Sequence, residues 1–405
     1  MKLTKILDHI KRNIPFYFDI DVDNFSTIPI VTKKEIKKRY EDFLSISVDG
    51  REKILQELNQ DFTIHKYIIE KRICKNLIME WTTGSSGIPF KSVKSLAERK
   101  QISLCMWKRR MEIDRQIIPT KFFTMIHTGS TPNKFDVRNY ARSNIEQLYE
   151  YIRNNDITCI HTTPNLIRKH LSQSSIDMDF FANVVPYIEV TGNYLEDNER
   201  KKFEDIFHAK VINLYGTIET WGIAYSGKDH MLYTMNDNVI LEIIDEYGNP
   251  IQSIEKEGEI VLTTLNQFVM PFIRYKIGDR GEYIQFNGML ARNIIKLSRK
   301  RDIGKLVIGK ETKDGENLVK QLMRKVFWKK DFNDIHNLCF LKKGFFLEVV
   351  LNSIRDKEIF EQIMYEEVKC SELKEMKVYF KYVTDAEFEI LNPKGYLYMN
   401  KTLND

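Results

Sequence analysis

From Phe122 onward the chain alternates short apolar, β-branched or aromatic runs with segments whose apolar positions recur at helical spacing. The runs FFTMIH, ITCIH, YIEV and KVINLY read as strands; the stretches near Ile145 to Arg153, from about Asn165, and from Glu196 to Phe207 read as helices between them. Strands separated by helices predict α/β units with a largely parallel sheet. From Asn238 the texture becomes strand and turn: VILEIID, EYGNP, EIVLTT, and an Asn287-Gly288 hairpin signal between YIQF and MLARNII. That change predicts a β-rich subdomain closing a large N-terminal lobe. Beyond Asp302, KLVI, a helix near Asn317 to Phe327, strands near Leu338 to Leu341 and Phe345 to Leu351, a helix near Lys357 to Val368, and MKVYFKYV follow one another. Their β-α-β-β-α-β order is the pattern of a small α+β, ferredoxin-like domain. The expected fold is α/β, with domains over 1–298 and 304–405 and a hinge over 299–303. Near the start, Thr32 followed by Glu35 reads as a capping box opening a helix from about Lys33 to Leu44. Its Lys33, Lys34, Lys37, Lys38 and Arg39 read as a solvated basic face.

Composition narrows the class. With 405 residues, the length favours two or three domains, and 42% hydrophobic with 29% charged positions is a globular balance that argues against disorder and collagen. The longest uncharged run, Ile260 to Ile273, falls short of the roughly 18 apolar residues a membrane span needs. Lys5, Asp8 and His9 interrupt the apolar core that a signal peptide requires. The five cysteines have no CxxC spacing, so neither a zinc site nor a disulfide framework is suggested, and a cytoplasmic setting fits best. A net charge of +5 is too small to imply a nucleic-acid partner.

Candidate chemistry sits in three separated stretches. In Thr82-Thr83-Gly84-Ser85-Ser86-Gly87-Ile88-Pro89, short hydroxyls and bare backbone N–H groups suit close wrapping of an anion. The pattern GxxxxGK[ST] is absent, and by itself such a stretch also describes an exposed linker. The second stretch is Asn213-Leu214-Tyr215-Gly216-Thr217-Ile218-Glu219-Thr220, and the third is Pro271-Phe272-Ile273-Arg274-Tyr275-Lys276-Ile277-Gly278-Asp279.

In this order the three resemble the adenylate-forming superfamily of acyl-CoA synthetases, peptide-synthetase adenylation domains and luciferases. The resemblance is greatest to the compact phenylacetate-CoA ligase and capsular-polysaccharide-protein branch, and spans from about Trp81 to the C-terminus. It implies that Thr82, Thr83, Gly84, Ser85, Ser86 and Gly87 hold ATP phosphates. Tyr215, followed by Gly216 and Thr217, would stack on adenine, Glu219 would bind Mg²⁺, and Asp279 would accept hydrogen bonds from ribose hydroxyls. Ser298-Arg299-Lys300-Arg301-Asp302 resembles the family's hinge segment, with Arg299 on the ribose-contacting arginine. In LNPKGYLYMNK, Lys394 and Lys401 are the candidates for the catalytic lysine, Lys401 the better one, because an ammonium at the α-phosphate would offset charge as pyrophosphate leaves. Two departures stand out: Ile218 replaces a hydroxyl residue before the magnesium Glu, and Thr191-Gly192-Asn193-Tyr194 replaces GGEP.

The implied activity is ATP-dependent activation of a carboxylic acid as an acyl-adenylate. Transfer to a coenzyme A or carrier-protein thiol, or to an amine, would follow. The alternative is a nucleotide-binding scaffold of the same fold that has lost turnover, motivated by Ile218 and Asn193. His127 and His161 each end an apolar run and read either as bases at strand ends or as hydrogen-bonded structural residues. Trp221 is a candidate border of the acyl pocket.

Overall fold

In the computed structural model of the protein, the described residues are 2–59, 70–81, 90–125, 133–134, 145–164, 166–167, 182–298, 305–308, 311–330, 332, 335, 338–384, 387–388, 391 and 398–401. Two compact units divide the chain; Met1–Thr82 and Lys91–Ser298 belong to the larger, and Arg299–Asp405 to the smaller.

The larger unit opens with α1 (Lys2–Asn13), β1 (Val31–Thr32), α2 (Lys33–Lys38), α3 (Tyr40–Phe43) and α4 (Arg51–Asn59). The capping box expected at Thr32 is present: the Glu35 amide donates to the Thr32 hydroxyl at 3.3 Å and the Thr32 amide to the Glu35 carboxylate at 2.7 Å. The single helix expected to Leu44 is split at Arg39 (φ −151°, ψ 61°), whose guanidinium lies 4.9 Å from the Phe16 ring centre and 3.4 Å from Asp42. Next, β2 (Glu70–Cys74), β3 (Leu77–Trp81) and β4 (Lys91–Ser95) form a small antiparallel sheet. A second capping box, Ser95 with Glu98, then starts α5 (Leu96–Ile113).

Among the described residues, twelve strands make one sheet. Its parallel half contains β5 (Phe122–Thr124), β6 (Asn133–Lys134), β7 (Cys159–Thr162), β8 (Tyr187–Thr191) and β9 (Lys210–Thr217), with α6 (Ile145–Asn154) and α7 (Asp197–Phe207) as connecting helices. The helix expected from Asn165 lies largely outside the described residues. After β9 the direction reverses: β10 (Trp221–Ser226) pairs antiparallel with β9, and β11 (Leu232–Thr234), β12 (Val239–Ile244), β13 (Gly258–Thr264), β14 (Tyr275–Gln285) and β15 (Ile294–Leu297) continue antiparallel. The β-rich region therefore extends the α/β sheet, because the short β9–β10 connection leaves no room for a crossover helix. Its core is the cluster of Val239, Leu241, Ile243, Ile260, Leu262 and Tyr283.

In the smaller unit, β16 (Lys305–Ile308) pairs with β17 (Glu311–Asp314) as a separate hairpin. Then come α8 (Gly315–Lys329), β18 (Leu338–Lys343), β19 (Phe346–Asn352), α9 (Lys357–Lys369), β20 (Lys377–Val383) and β21 (Tyr398–Lys401). The expected α+β order is present along the chain. The KLVI run stays out of the four-stranded sheet, whose order is β20-β19-β18-β21, and β21 supplies the fourth strand. Val319, Val326, Phe340, Leu347, Val349, Phe360 and Met364 give this unit its own buried core. Among the described residues no helix is long and apolar enough to cross a membrane.

Candidate active site

The turn between β9 and β10 carries Glu219, and its shape is fixed from several sides. A Cβ on Gly216 would lie 2.2 Å from the Trp221 carbonyl oxygen, so this close approach of two backbones requires glycine. Trp221 itself adopts the left-handed conformation at φ 60°, which costs a non-glycine residue on the order of 1 kcal/mol. The turn's carbonyls each receive a side-chain donor. Lys94 Nζ reaches the Ile218 carbonyl at 3.0 Å, Gln267 Nε2 that of Glu219 at 2.9 Å, and Asn238 Nδ2 those of Thr220 at 3.1 Å and Gly222 at 2.7 Å. The Thr220 amide donates to the Thr217 hydroxyl at 3.2 Å. Held this way, the turn has little freedom to re-aim Glu219.

Glu219 is buried, with its side chain 4% exposed, and its Oε1 has two donors nearby. The Tyr275 hydroxyl lies at 3.3 Å and Lys33 Nζ at 3.0 Å. Burial, and next the Glu219 charge, push the Tyr275 phenol well above its usual range, so it stays protonated and donates. Tyr40 stands close by, its phenol pushed up to about 12 by burial and by the same carboxylate, and its hydroxyl accepts from the Lys91 amide at 3.2 Å. Four residues further along β14 than Tyr275, Asp279 accepts the Tyr215 hydroxyl at 2.9 Å. The second and third stretches thus meet twice, through Tyr215 with Asp279 and through Glu219 with Tyr275. Tyr215 is also part of the buried cluster around Val239 and Leu241, with 9% of its surface exposed.

Thr82, Thr83, Gly84, Ser85, Ser86, Gly87 and Arg299 lie outside the described residues, as does His127. The strands that lead into and out of the hydroxyl-rich loop, β3 and β4, are described, and both are tied to the Glu219 turn. Lys94 is buried on β4, with its ammonium 2.6 Å from Glu80 Oε2, 3.3 Å from the Ser92 hydroxyl and 3.0 Å from the Ile218 carbonyl; all three of its N–H groups have acceptors. Glu80, on β3, also accepts Trp221 Nε1 at 3.2 Å and lies 3.3 Å from Arg99 Nε, while the Arg99 guanidinium sits 5.0 Å from the Trp221 ring. Trp221, a candidate pocket border in the sequence, is part of this tie. Lys401 has its backbone in β21, in register with Lys343 on β18.

Sequence reasoning missed Lys33, Lys94 and Glu80, and treated Tyr275 only as motif filler. The sequence places Lys33 among five cations on a solvated face; the β1–β14 pairing, which sets Val31 beside Tyr275, brings it to Glu219 instead. Arg274 of the third stretch has a structural role: its guanidinium pairs with buried Glu242 at 3.2 Å and donates to the Ser26 and Ile28 carbonyls at 2.7 and 2.8 Å. His161 stands within β7 with Nδ1 2.7 Å from Glu189 Oε1, in a buried cluster with Arg110 and Tyr225. Elsewhere, a cavity of about 410 Å³ is lined by Arg109, Glu112, Lys228 and Arg292 among others. Arg109 and Arg292 share Glu112, Arg109 also pairs with Asp237, and Asp229 adds a third carboxylate to offset Lys228, which leaves little net charge to hold an anion.

No family model matches the chain, and comparison with curated proteins gives no match. Solved structures do match. A 2-hydroxyisobutyryl-CoA ligase in the postadenylation state, in complex with 2-HIB-AMP, aligns over 94% of this chain and 84% of its own, with a TM-score of 0.57 at 12% identity. The same ligase in complex with 2-HIB-AMP and CoA, in the thioesterification state, aligns over 99% and 88%, again at 0.57 and 12%. Fatty acyl-adenylate ligases from E. coli and L. pneumophila align over 76% of this chain and 65% of theirs, at 0.51 and 11%. The chain shares its fold with these ligases. At these identities the likeness shows the fold alone.

Proposed function

We propose that this chain is an ATP-dependent carboxylate-activating ligase resembling the phenylacetate-CoA ligase branch. The observation that carries the reading is the convergence of Tyr215, Glu219 and Asp279, with both strands flanking the Thr82 to Pro89 stretch fastened to the turn that bears Glu219. A substrate carboxylate attacks the α-phosphorus of ATP in line; a C–O–P bond forms, the P–O bond to pyrophosphate breaks, and an acyl-adenylate results. A thiol or amine then displaces AMP from the acyl carbon and gives up its proton. Such chemistry relies on positioning and charge stabilisation, which suits a site made of fixed carboxylates and donors.

In this scheme Tyr215 flanks adenine, Asp279 accepts from the ribose, and the hydroxyls from Thr82 to Ser86 take phosphate oxygens. Glu219 fits a hard cation: it is a buried oxygen donor already facing a positive group, and among the described residues no cluster of three His, Cys, Asp or Glu side chains offers a protein-only cage. Mg²⁺ ordinarily combines one or two carboxylates with substrate phosphates and, when bound, spreads the charge that develops on them. Lys401 is the candidate for the α-phosphate and Arg299 for the ribose, and Arg299 to Asp302 would be the hinge about which the smaller unit turns between half-reactions. The complexes of the hydroxyisobutyryl-CoA ligase with 2-HIB-AMP and CoA favour a thiol acceptor of the coenzyme A class.

ATP–pyrophosphate exchange across a panel of carboxylic acids tests this reading. At least one acid should drive exchange, and Glu219→Gln or Asp279→Ala should lower kcat/KM about a hundredfold, the usual scale for removing one preorganised electrostatic group. Mg-ATP binding with no exchange for any acid would leave the scaffold alternative standing. Absence of Mg-ATP binding would remove both.

A further inference from the structure

The N-terminal segment is fastened directly to the third stretch. Arg274 holds the Ser26 and Ile28 carbonyls, β1 pairs in parallel with β14, and Lys33 follows as the first residue of α2. Lys33 Nζ thereby arrives 3.0 Å from Glu219 Oε1, the oxygen that also faces the Tyr275 hydroxyl. The two partners differ in exposure: the Lys33 side chain is 36% exposed and that of Glu219 only 4%.

A carboxylate this buried needs a counter-ion. A hard divalent cation seeks the same oxygen, and a metal and an ammonium repel each other at contact distance. Lysine is suited to yield, since its charge is a compact ammonium on a flexible stem and part of this side chain already lies in water. An ammonium that swings away by less than its own length stays beside whatever polyanion the metal brings. We propose that Lys33 is a tethered cation: it occupies Glu219 in the nucleotide-free protein, yields that carboxylate to the divalent metal, and then pairs with a phosphate oxygen of the nucleotide. This inference rests on the function proposed above.

Two equilibrium measurements on the full chain test it without recourse to turnover. Mn²⁺ binding without nucleotide, followed by electron paramagnetic resonance, should tighten about tenfold in Lys33→Met, because a competitor is gone. ATP binding at saturating Mn²⁺, measured by titration calorimetry, should weaken about tenfold in the same variant, the scale of one charge-assisted contact. Lys33→Arg should keep the ATP affinity at saturating Mn²⁺ to within about threefold, since it retains the charge. A merely structural ion pair would weaken both affinities together or leave both alone, and either result overturns the proposal, as would Lys33→Arg behaving like Lys33→Met. Wild-type protein that binds neither Mn²⁺ nor ATP removes the proposed function and this inference together. Normal wild-type binding with unchanged variants removes the inference only.

Discussion

Glu189, at 0% exposure, is held by Arg110 at 2.8 and 2.7 Å, by the Tyr225 hydroxyl at 2.6 Å, and has His161 Nδ1 at 2.7 Å. The Arg110 guanidinium lies 4.4 Å from the Trp107 ring centre and 4.3 Å from that of Phe122. Burial alone would raise the Glu189 carboxyl; the Arg110 charge and its hydrogen bonds override that and hold it well below the usual carboxylate range. The folded state therefore binds this proton less readily than the unfolded chain does. Its contribution is present at neutral pH and is lost as pH falls below about 4.5 toward the depressed folded value. Glu189→Gln should cost about 3–5 kcal/mol in urea unfolding at pH 7, because it leaves Arg110 buried without its counter-charge. Its stability should also fall less steeply than wild type below pH 5; a loss under about 1 kcal/mol would contradict this account. Of the cluster only His161 stands out in the sequence, as the residue ending an apolar run; its partners do not, because Arg110 and Glu189 meet only once α5 has packed on the sheet. Tyr215, Glu219 and Asp279 were legible because each sits in a short stretch with its own residue pattern. Lys33 was not, since the pairing that carries it to Glu219 joins residue 31 to residue 275.

Elements were legible where their signal is local. The Thr32 capping box, the helix ending at Phe207, and the strands at Tyr187, Lys210, Val239 and Gly258 follow from periodicity and turn chemistry alone. Strand partners were less so: KLVI has strand composition, but nothing within it says that it pairs with Glu311–Asp314 while Tyr398–Lys401 takes the place beside β18. The β3–β4 hairpin shows what such long-range pairing does for the site. Lys94 and Glu80 stand across neighbouring strands at the foot of the hydroxyl-rich stretch, and through Ile218 and Trp221 they fix those strands to the Glu219 turn. Replacing Lys94 by Met frees the Ile218 carbonyl and removes one of the two cations on buried Glu80. The variant should lose about 3 kcal/mol of stability in chemical denaturation and, under conditions where it is folded, bind Mg-ATP about tenfold more weakly. Lost stability with wild-type Mg-ATP affinity would reduce the tie to a packing role.

At the scale of the whole molecule, each unit has a core of its own. The larger is built on the clusters around Ile160 and Val211, around Leu241 and Leu262, and around Ile6, Ile10 and Tyr17; the smaller is built on Phe340, Leu347 and Phe360. Units with separate cores need not unfold together, so two transitions are expected of this chain. Lys33, Tyr215, Glu219, Tyr275 and Asp279 all belong to the larger unit. A ligand that binds only a folded unit stabilises it by about 2.7 kcal/mol at a hundred times its dissociation constant, enough to move a transition by several degrees. Scanning calorimetry should resolve two transitions, and saturating Mg-ATP should raise that of the larger unit well beyond that of the smaller. Limited proteolysis during the scan, with fragments identified by mass, assigns each transition to its unit. Equal displacement of both would mean that residues of the smaller unit bind the nucleotide as strongly as those around Glu219, and would move the centre of the site away from the β9–β10 turn.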